Sequence, residues 1–332
     1  MLAKHRIAVA VADGYPVAMA PVRAALEGVA EAFELPIPRR ALSPAEIARY
    51  ADQLAGVDGI LCRSGIFTRD FLRALPRLRV IAVHGAGFDQ VDLDAATELG
   101  VLVVNAPGAN ADSVAELVIG FIVALLRRIP EGDRHVREKR GWREERFVGR
   151  ELRGRVLGLV GIGNVGGRVA RLALAFGARV ITCDPYVDEV AVPAGVPRVE
   201  YEELLRQADV ISFHVPLSGE TKNMLDARTL RLTKPGVYVL NTSRGGVIDE
   251  DALADGLASG HVAGAALDVF AVEPPTSRPR VLDQPNLITS PHIGGSTVES
   301  LENVARVAAE EIALFLRGEK PRYIVNTQVL AR

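Results

Sequence analysis

The sequence predicts an α/β chain of two doubly wound parallel-sheet domains, one inserted into the other, and three observations carry that expectation. Short apolar, β-branched runs alternate with helical patterns along almost the whole chain, as parallel βα units require. The alternation comes in two consecutive series, the second opening at Val156-Leu157-Gly158-Leu159-Val160 and running directly into Gly161-Ile162-Gly163-Asn164-Val165-Gly166. A long amphipathic pattern near the C-terminus has no strand partner in the second series, so it is expected to pack back on the first.

In the first series, Ile7–Val11, Gly59–Cys62, Val80–Val83 and Val101–Val104 read as strands, with helical patterns over Val22–Ala32 and Asp92–Leu99 between them. Asn105-Ala106-Pro107-Gly108 closes the series as a turn. Ser113 and Glu116 then form a capping-box signature. Val114, Leu117, Val118, Phe121, Ile122 and Leu125 share the helical face that follows, and Arg127-Arg128 is expected in its last turn, where positive charge suits the helix dipole. Arg134 to Arg150 is charge-rich around Trp142 and Phe147; it reads either as a solvated connection or as an arm whose aromatics pack on a second subunit.

The second series continues through Val180–Cys183, Val210–His214, Val237–Asn241, Ala263–Leu267 and Leu287–Ser290. Ser296 and Glu299 repeat the capping-box pattern before Leu301, Val304, Ala308, Ile312 and Phe315, and that helix is expected to end near Gly318. The chain beyond Gly318 is expected to be a closing strand or a surface tail. The organisation is therefore a discontinuous domain, residues 1–107 and 296–332, with residues 108–295 inserted, both Rossmann-like, and the two crossings form a natural hinge.

Composition narrows the function classes. The 332 residues are 48% hydrophobic and 24% charged with a net charge of −2, so nothing in the charge balance favours nucleic acid or an anionic membrane. Cys62 and Cys183 suit a reducing compartment and build neither a disulfide framework nor a zinc site. Lys4-His5-Arg6 and the apolar run after it imitate a signal peptide, but Asp13-Gly14 breaks the run, which reads as a first strand. No apolar stretch is long enough to span a bilayer. A cytoplasmic enzyme without a metal is the expectation.

The glycines after Val160 carry the first functional argument. Gly161, Gly163 and Gly166 allow a tight turn and a close backbone approach, and Val169, Leu172, Ala173 and Phe176 follow at helical spacing. The next strand, Arg179–Cys183, ends at Asp184. Strand, glycine turn, helix, strand and acid in that order form the dinucleotide fingerprint: a pyrophosphate sits on the N–H groups and positive end of a helix N-terminus, and the acid accepts from a ribose diol. Asp184 would repel a 2′-phosphate, and Pro185-Tyr186 supplies no cation to bind one, so NAD is favoured over NADP.

Three further segments end strands in polar residues. They are Val237 to Gly246 with Arg244, Ala265 to Phe270 with Asp268 and then Glu273-Pro274-Pro275, and Leu287 to Gly295 with Pro291-His292. Ligands bind beyond the carboxyl ends of strands in such sheets. Hydride exchange between NAD and a 2-hydroxy acid needs an acid/base for the substrate oxygen and a cation for its carboxylate and polarised carbonyl. His292 suits the first task, with Glu273 pairing to its other ring nitrogen and holding its orientation; Arg244 suits the second. His214 sits at a strand end among apolar neighbours and reads as structural or backbone service, while His5, His135 and His261 have no supporting context.

With these segments in view, the chain resembles the D-isomer-specific 2-hydroxyacid dehydrogenases, in the branch similar to 3-phosphoglycerate dehydrogenase. The resemblance covers nearly all of it through His84 to Asp92, Val104 to Gly108, Ser113 to Glu116, the glycine fingerprint, His214 to Leu217, Asn241 to Gly246, Ala266 to Phe270 and Pro291 to Gly295. It implies Arg244, Glu273 and His292 as the catalytic set. It implies cofactor contacts at Gly161, Gly163, Asn164, Val165, Gly166 and Asp184, an adenine-side wall of His214, Val215 and Pro216, and nicotinamide contacts at Thr242, Ser243, Arg244, Asp268, His292, Gly294 and Gly295. It also implies a homodimer through the inserted domain, which suits Trp142 and Phe147 as interface residues.

For substrate, Arg63-Ser64-Gly65 and His84-Gly85-Ala86-Gly87 both follow strands of the first domain and are expected to reach the cleft, where exposed backbone N–H groups hold a carboxylate. Phosphoglycerate-type members usually carry Arg where Val83 stands, and longer members carry an additional C-terminal regulatory domain, so the substrate is expected to be a small 2-hydroxy acid, with any second anionic group near Arg63. The alternatives are an NAD(H)-sensing corepressor of the same fold and a formate- or phosphite-type dehydrogenase. Formate enzymes pair the histidine with Gln, whereas Glu273 stands here.

Overall fold

The computed structural model describes residues 5–331 except Glu189 and Ala191; Met1–Lys4, at the head of the imitated signal peptide, lie outside the described residues. The chain divides into two compact units, residues 1–110 with 296–332 and residues 111–295.

The first unit opens β1 (His5–Val11), α1 (Met19–Ala25), β2 (Ala30–Pro36), α2 (Pro44–Leu54), β3 (Gly59–Cys62), α3 (Arg69–Arg73), β4 (Val80–Val83), α4 (Leu93–Glu98), β5 (Leu102–Val104). Its five strands are parallel in the order β2-β1-β3-β4-β5, so the winding reverses between β1 and β3. Ile7 to Ala10 are fully buried because both faces are covered, as parallel sheets demand. Ile60, Cys62, Ile81 and Val83 pack against Tyr50, Leu54, Phe67 and Phe71 on one face. Ile7, Val9, Leu61, Ala82 and Leu102 meet Ala305, Ala308, Ala309 and Ile312 of the C-terminal helix, Val298–Leu316, on the other.

That helix packs where the sequence expects it, but its cap is one residue on from Ser296: Thr297 accepts the Ser300 N–H. After Gly318, Ile324 makes an antiparallel bridge to Val104. Asn326 fastens the segment by accepting the Val103 N–H at 2.7 Å and donating to Val101 O. The Val22–Ala32 run is not one helix. α1 stops at Ala25, Gly28 turns the chain at φ 73°, and β2 begins at Ala30. β2 is an edge strand with Glu31 and Glu34 on it, so it lacks the apolar signature of a central strand.

The second unit contains α5 (Ala111–Leu126), α6 (Ile129–Lys139), β6 (Val156–Val160), α7 (Asn164–Ala175), β7 (Arg179–Cys183), α8 (Tyr201–Gln207), β8 (Val210–Phe213), α9 (Ala227–Leu230), β9 (Val237–Asn241), α10 (Glu250–Ser259), β10 (Val262–Leu267) and β11 (Leu287–Thr289). Its strands are also parallel, in the order β11-β10-β9-β8-β6-β7, and the winding reverses between β6 and β8. α5 and α7 cover one face and α8 to α10 the other. Both units are thus doubly wound and Rossmann-like.

Three local expectations need correction here. α5 starts at Ala111, so Ser113 lies inside it and is not its cap; Asp112 is the acid in its first turn. It ends at Leu126, and Arg128 takes a left-handed φ of 52° before α6, so Arg127-Arg128 occupies a break between helices. Leu172 and Phe176 do not face the core of α7: they are 36% and 47% exposed, because Gly166, Val169, Ala170 and Ala173 form the buried face. The charge-rich stretch enters helix α6 and then a 3-10 turn at Glu145–Phe147. Trp142 there is 76% exposed, whereas the Phe147 ring packs 5.0 Å from that of His135. Among the described residues no helix is long and apolar enough to cross a membrane, and no cluster of His, Cys, Asp or Glu could hold a metal.

Candidate active site

The glycine turn lies at the point where the second unit's winding reverses, beyond the carboxyl ends of β6 and β8. Gly161 takes φ 95°, and a Cβ there would lie 2.7 Å from the His214 carbonyl oxygen. A Cβ on Gly166 would lie 2.2 Å from Gly161 O, so α7 approaches the turn through a bare backbone. Gly163 differs: it precedes the first residue of α7, and a Cβ on it would meet nothing within 4 Å. Gly163 therefore leaves room at the N-terminus of α7, whose first turn holds Asn164 and Val165, for an anion to approach the N–H groups.

Asp184 borders this turn. Its carboxylate accepts the Ile162 N–H at 2.9 Å and the Tyr186 N–H at 3.0 Å, which fixes it at the end of β7. His214 hydrogen-bonds through its backbone N–H to Val160 O. Burial pushes its imidazole down to about 4, so the ring is neutral, and its Nε2 is buried with no partner. Val215 and Pro216 continue that wall, Val215 half-buried and Pro216 exposed.

The polar strand ends converge through backbone contacts. After β9, Asn241 is buried and accepts from the backbone and hydroxyl of Ser243 while donating to Arg244 O at 2.8 Å. The Thr242 hydroxyl is buried without a partner. Arg244 donates to Ser243 O, and the next residue explains the packing: a Cβ on Gly245 would lie 1.8 Å from the Phe270 carbonyl carbon. The Arg244 loop therefore touches the loop carrying Glu273 directly. Glu273 accepts the Phe270 N–H through Oε1 and meets His292 Nδ1 through Oε2 at 2.7 Å.

Asp268 sets the position of the histidine. It is 1% exposed, and its carboxylate accepts from the Ser290 hydroxyl and from the backbone N–H groups of Ile293 and Gly294, the last two at 2.8 Å; its carbonyl accepts the His292 N–H. His292 sits at φ 54°, a left-handed conformation that a non-glycine residue holds only when its surroundings dictate it. Gly294 is buried against Asp268, and Gly295 is half-buried beside it. Sequence reasoning missed Glu250, a half-buried acid whose pKa burial raises and which accepts the Ala271 N–H at 2.6 Å, bracing the Glu273 loop. Its place at the start of α10 looks like an ordinary first-turn acid.

In the first unit, Arg63 and Ser64 leave β3, and both backbone N–H groups bond Ala10 O. The Ser64 hydroxyl is already committed to Ile37 O at 2.8 Å. Burial, and next the Arg39 charge, hold the Arg63 guanidinium below its ordinary value. His84 is buried at the end of β4; burial and the Arg63 charge push it down to about 3, so its ring is neutral. Gly85 takes φ 150°, and Ala86 and Gly87 continue the turn, Ala86 exposed and its carbonyl accepting from Asn105.

A bare-backbone turn against an open helix N-terminus, an acid fixed at the neighbouring strand end, and two buried polar atoms without partners at Thr242 and His214 fit a dinucleotide. The comparisons agree. Residues 119–294 match the model of the D-isomer specific 2-hydroxyacid dehydrogenase, NAD binding domain. The chain belongs to that family, and NAD is its cofactor. It is 41% identical over 288 residues to the D-3-phosphoglycerate dehydrogenase of Bacillus subtilis (strain 168), covering 86% of this chain and 54% of that protein. The chain thus spans about half the length of the curated relatives it matches. A solved protein from Thermus thermophilus superposes with a TM-score of 0.83 at 32% identity, covering 96% of this chain and 99% of that one. A glyoxylate reductase from Paecilomyes thermophila does so with 0.85 at 29%, covering 98% and 99%.

Proposed function

We propose that this protein is an NAD-dependent oxidoreductase that moves a hydride between NAD(H) and a small D-2-hydroxy acid or its 2-oxo acid. The observation that carries the reading is the His292–Glu273 pair at 2.7 Å, held by Asp268 on a loop that joins the Arg244 segment through the Gly245–Phe270 contact. NAD supplies and accepts the hydride. His292 Nε2, the nitrogen not engaged by Glu273, gives a proton to the 2-oxo oxygen in reduction and takes it back in oxidation. Glu273 fixes the ring's orientation and balances the charge of its protonated form. Arg244 binds the substrate carboxylate and stabilises negative charge developing on the carbonyl oxygen.

In the same reading, Gly161, Gly163, Asn164, Val165 and Gly166 hold the pyrophosphate and Asp184 the ribose diol. His214, Val215 and Pro216 wall the adenine side, and Thr242, Ser243, Asp268, Gly294 and Gly295 line the nicotinamide side. Residues 1–107 with 296–332 act as the substrate-binding domain, where Arg63, Ser64, His84, Gly85, Ala86 and Gly87 receive the substrate's carboxylate end, and residues 108–295 act as the NAD-binding domain. The names of the relatives, a D-3-phosphoglycerate dehydrogenase and a glyoxylate reductase, support 3-phosphoglycerate or glyoxylate as substrates, and glycerate/hydroxypyruvate stands beside them as a small 2-hydroxy acid pair of the same class.

We further infer a homodimer through the second unit. Ile129, Val136, Trp142 and Val148 are 50% or more exposed, and Val148 borders a cavity of about 330 Å³ together with Leu125, Arg128, Tyr238 and Leu287. That cavity lies at the amino ends of β9 to β11, away from His292, and suits a subunit contact better than chemistry. The free cysteines Cys62 and Cys183 support a cytoplasmic setting.

The test is NADH oxidation against glyoxylate, hydroxypyruvate, phosphohydroxypyruvate and sulfopyruvate. Turnover with at least one is expected; inactivity with all, while NADH binds, contradicts the enzymatic reading and favours a corepressor-like sensor.

A further inference from the structure

β7 and β8 stand on either side of β6, so the loops that leave them flank the glycine turn from two strand spacings, about 9.5 Å, apart. Contacts run from one loop to the other through that turn. The Asp184 carboxylate accepts the Ile162 N–H, and the bare backbone of Gly161 lies against the His214 carbonyl and Val215. The loops also meet directly, side chain to side chain: the Tyr186 hydroxyl donates to Glu220 Oε2. A closed ring of contacts results. It runs from Asp184 through the glycine turn and the wall of His214, Val215 and Pro216 to Glu220, and returns through Tyr186, whose N–H bonds Asp184 at 3.0 Å.

The ring has fixed parts and one that opens. After β8, the Thr221 hydroxyl donates to Pro216 O at 2.6 Å and accepts the Ser218 N–H at 2.7 Å, and the Lys222 N–H bonds Ser218 O at 3.0 Å, which folds residues 216–222 into a fixed turn. After β7, Arg198 donates to Val187 O at 2.8 Å. The Tyr186–Glu220 link joins two exposed side chains, the tyrosine at 77% exposure, so side-chain rotation alone breaks it. The phenol is a donor at neutral pH, since the Glu220 carboxylate that accepts from it raises its pKa. An exposed hydrogen bond of this kind competes with water and contributes little to the fold. It does, however, span the crevice where the adenosine end of a dinucleotide leaves the glycine turn.

We propose that Tyr186 and Glu220 are a cofactor-retention pair: their bond closes the crevice over the adenosine end of NAD(H), and the dinucleotide enters and leaves as that bond opens. The inference rests on the placement of the ribose at Asp184 under Proposed function. Neither residue touches the reacting atoms. The step that the pair governs is exchange of the cofactor, a conformational step distinct from hydride transfer.

Stopped-flow binding of NADH, and of ADP-ribose as a ligand with the adenosine end and no nicotinamide, tests the pair in the full chain. Tyr186→Phe keeps the ring and removes the donor; Glu220→Ala removes the acceptor. Each should raise the dissociation rate of both ligands by about fivefold or more. The double variant should release them no faster than either single variant, because both remove the same bond. Glu220→Gln, whose amide oxygen accepts from the phenol, should release both more slowly than Glu220→Ala. Both positions are exposed, so the variants should fold, and circular dichroism checks that they do.

Unchanged dissociation rates in Tyr186→Phe, or single-variant effects that multiply in the double variant, overturn the pair. Asp184→Ala separates that failure from failure of the ribose placement. With Tyr186→Phe at the wild-type rate, loss of ADP-ribose affinity in Asp184→Ala overturns the pair and leaves the ribose placement standing, whereas no loss overturns both.

Discussion

His292 Nδ1 lies 2.7 Å from Glu273 Oε2, and neither residue holds that position by itself. The histidine is placed by Asp268, which accepts three hydrogen bonds from Ser290, Ile293 and Gly294 around it. The glutamate is placed by the Phe270 N–H and by a loop that Glu250 braces at Ala271. Pre-set orientation of this kind is what lets a proton-transfer group act without reorganising during the reaction.

Asp184 should govern cofactor choice. Asp184→Ala removes the carboxylate that a 2′-phosphate would face, so the ratio of NADPH to NADH dissociation constants should fall by about tenfold or more, read by fluorescence titration. An unchanged ratio would remove Asp184 from the ribose.

Two glycines should fail in opposite ways. Gly245→Ala drives a Cβ to 1.8 Å from the Phe270 carbonyl carbon, so it should lower the melting temperature and cut kcat by about a hundredfold as the Arg244 and Glu273 loops separate. Gly163→Ala meets no protein atom within 4 Å, so the melting temperature should hold while NADH binding weakens by about tenfold. If Gly163→Ala binds NADH normally, the pyrophosphate does not sit where the turn suggests.

His84 and His214 should make both units sensitive to mild acid. Their folded pKa values, about 3 and about 4, lie below the ordinary histidine value of 6.5, so below pH 6.5 the unfolded chain binds more protons than the folded one. Stability is full above pH 6.5 and is lost as the pH falls toward those folded values. Between pH 6.5 and 5, above the main carboxylate range, each ring should cost on the order of 1–2 kcal/mol. Denaturant unfolding should show a shallower pH slope in His84→Asn and His214→Asn; slopes equal to wild type would contradict buried neutral rings.

Legibility in the sequence followed the physics of each feature. Central strands such as Val156–Val160 and Val80–Val83 are apolar throughout because both faces are covered, and they stand out. β2 did not, because an edge strand carrying Glu31 and Glu34 has no such run, and missing it hid the loop that brings Arg39 to Tyr15. Helix starts shifted by three residues at Ser113 and by one at Ser296, since several polar residues there compete to cap. The glycine fingerprint and the Glu273–His292 pair were legible because their chemistry restricts residue type. The bracing contacts of Asp268 and Glu250 depend on backbone N–H groups, which a sequence does not display.

The central claim, that His292 moves the proton while Glu273 orients it, is tested most directly by single-turnover and steady-state rates for His292→Asn together with its NADH dissociation constant. The expected result is a kcat lower by about 10²–10⁴-fold, with Glu273→Gln losing less and NADH affinity held within about twofold in both. Turnover by His292→Asn near the wild-type rate would contradict it.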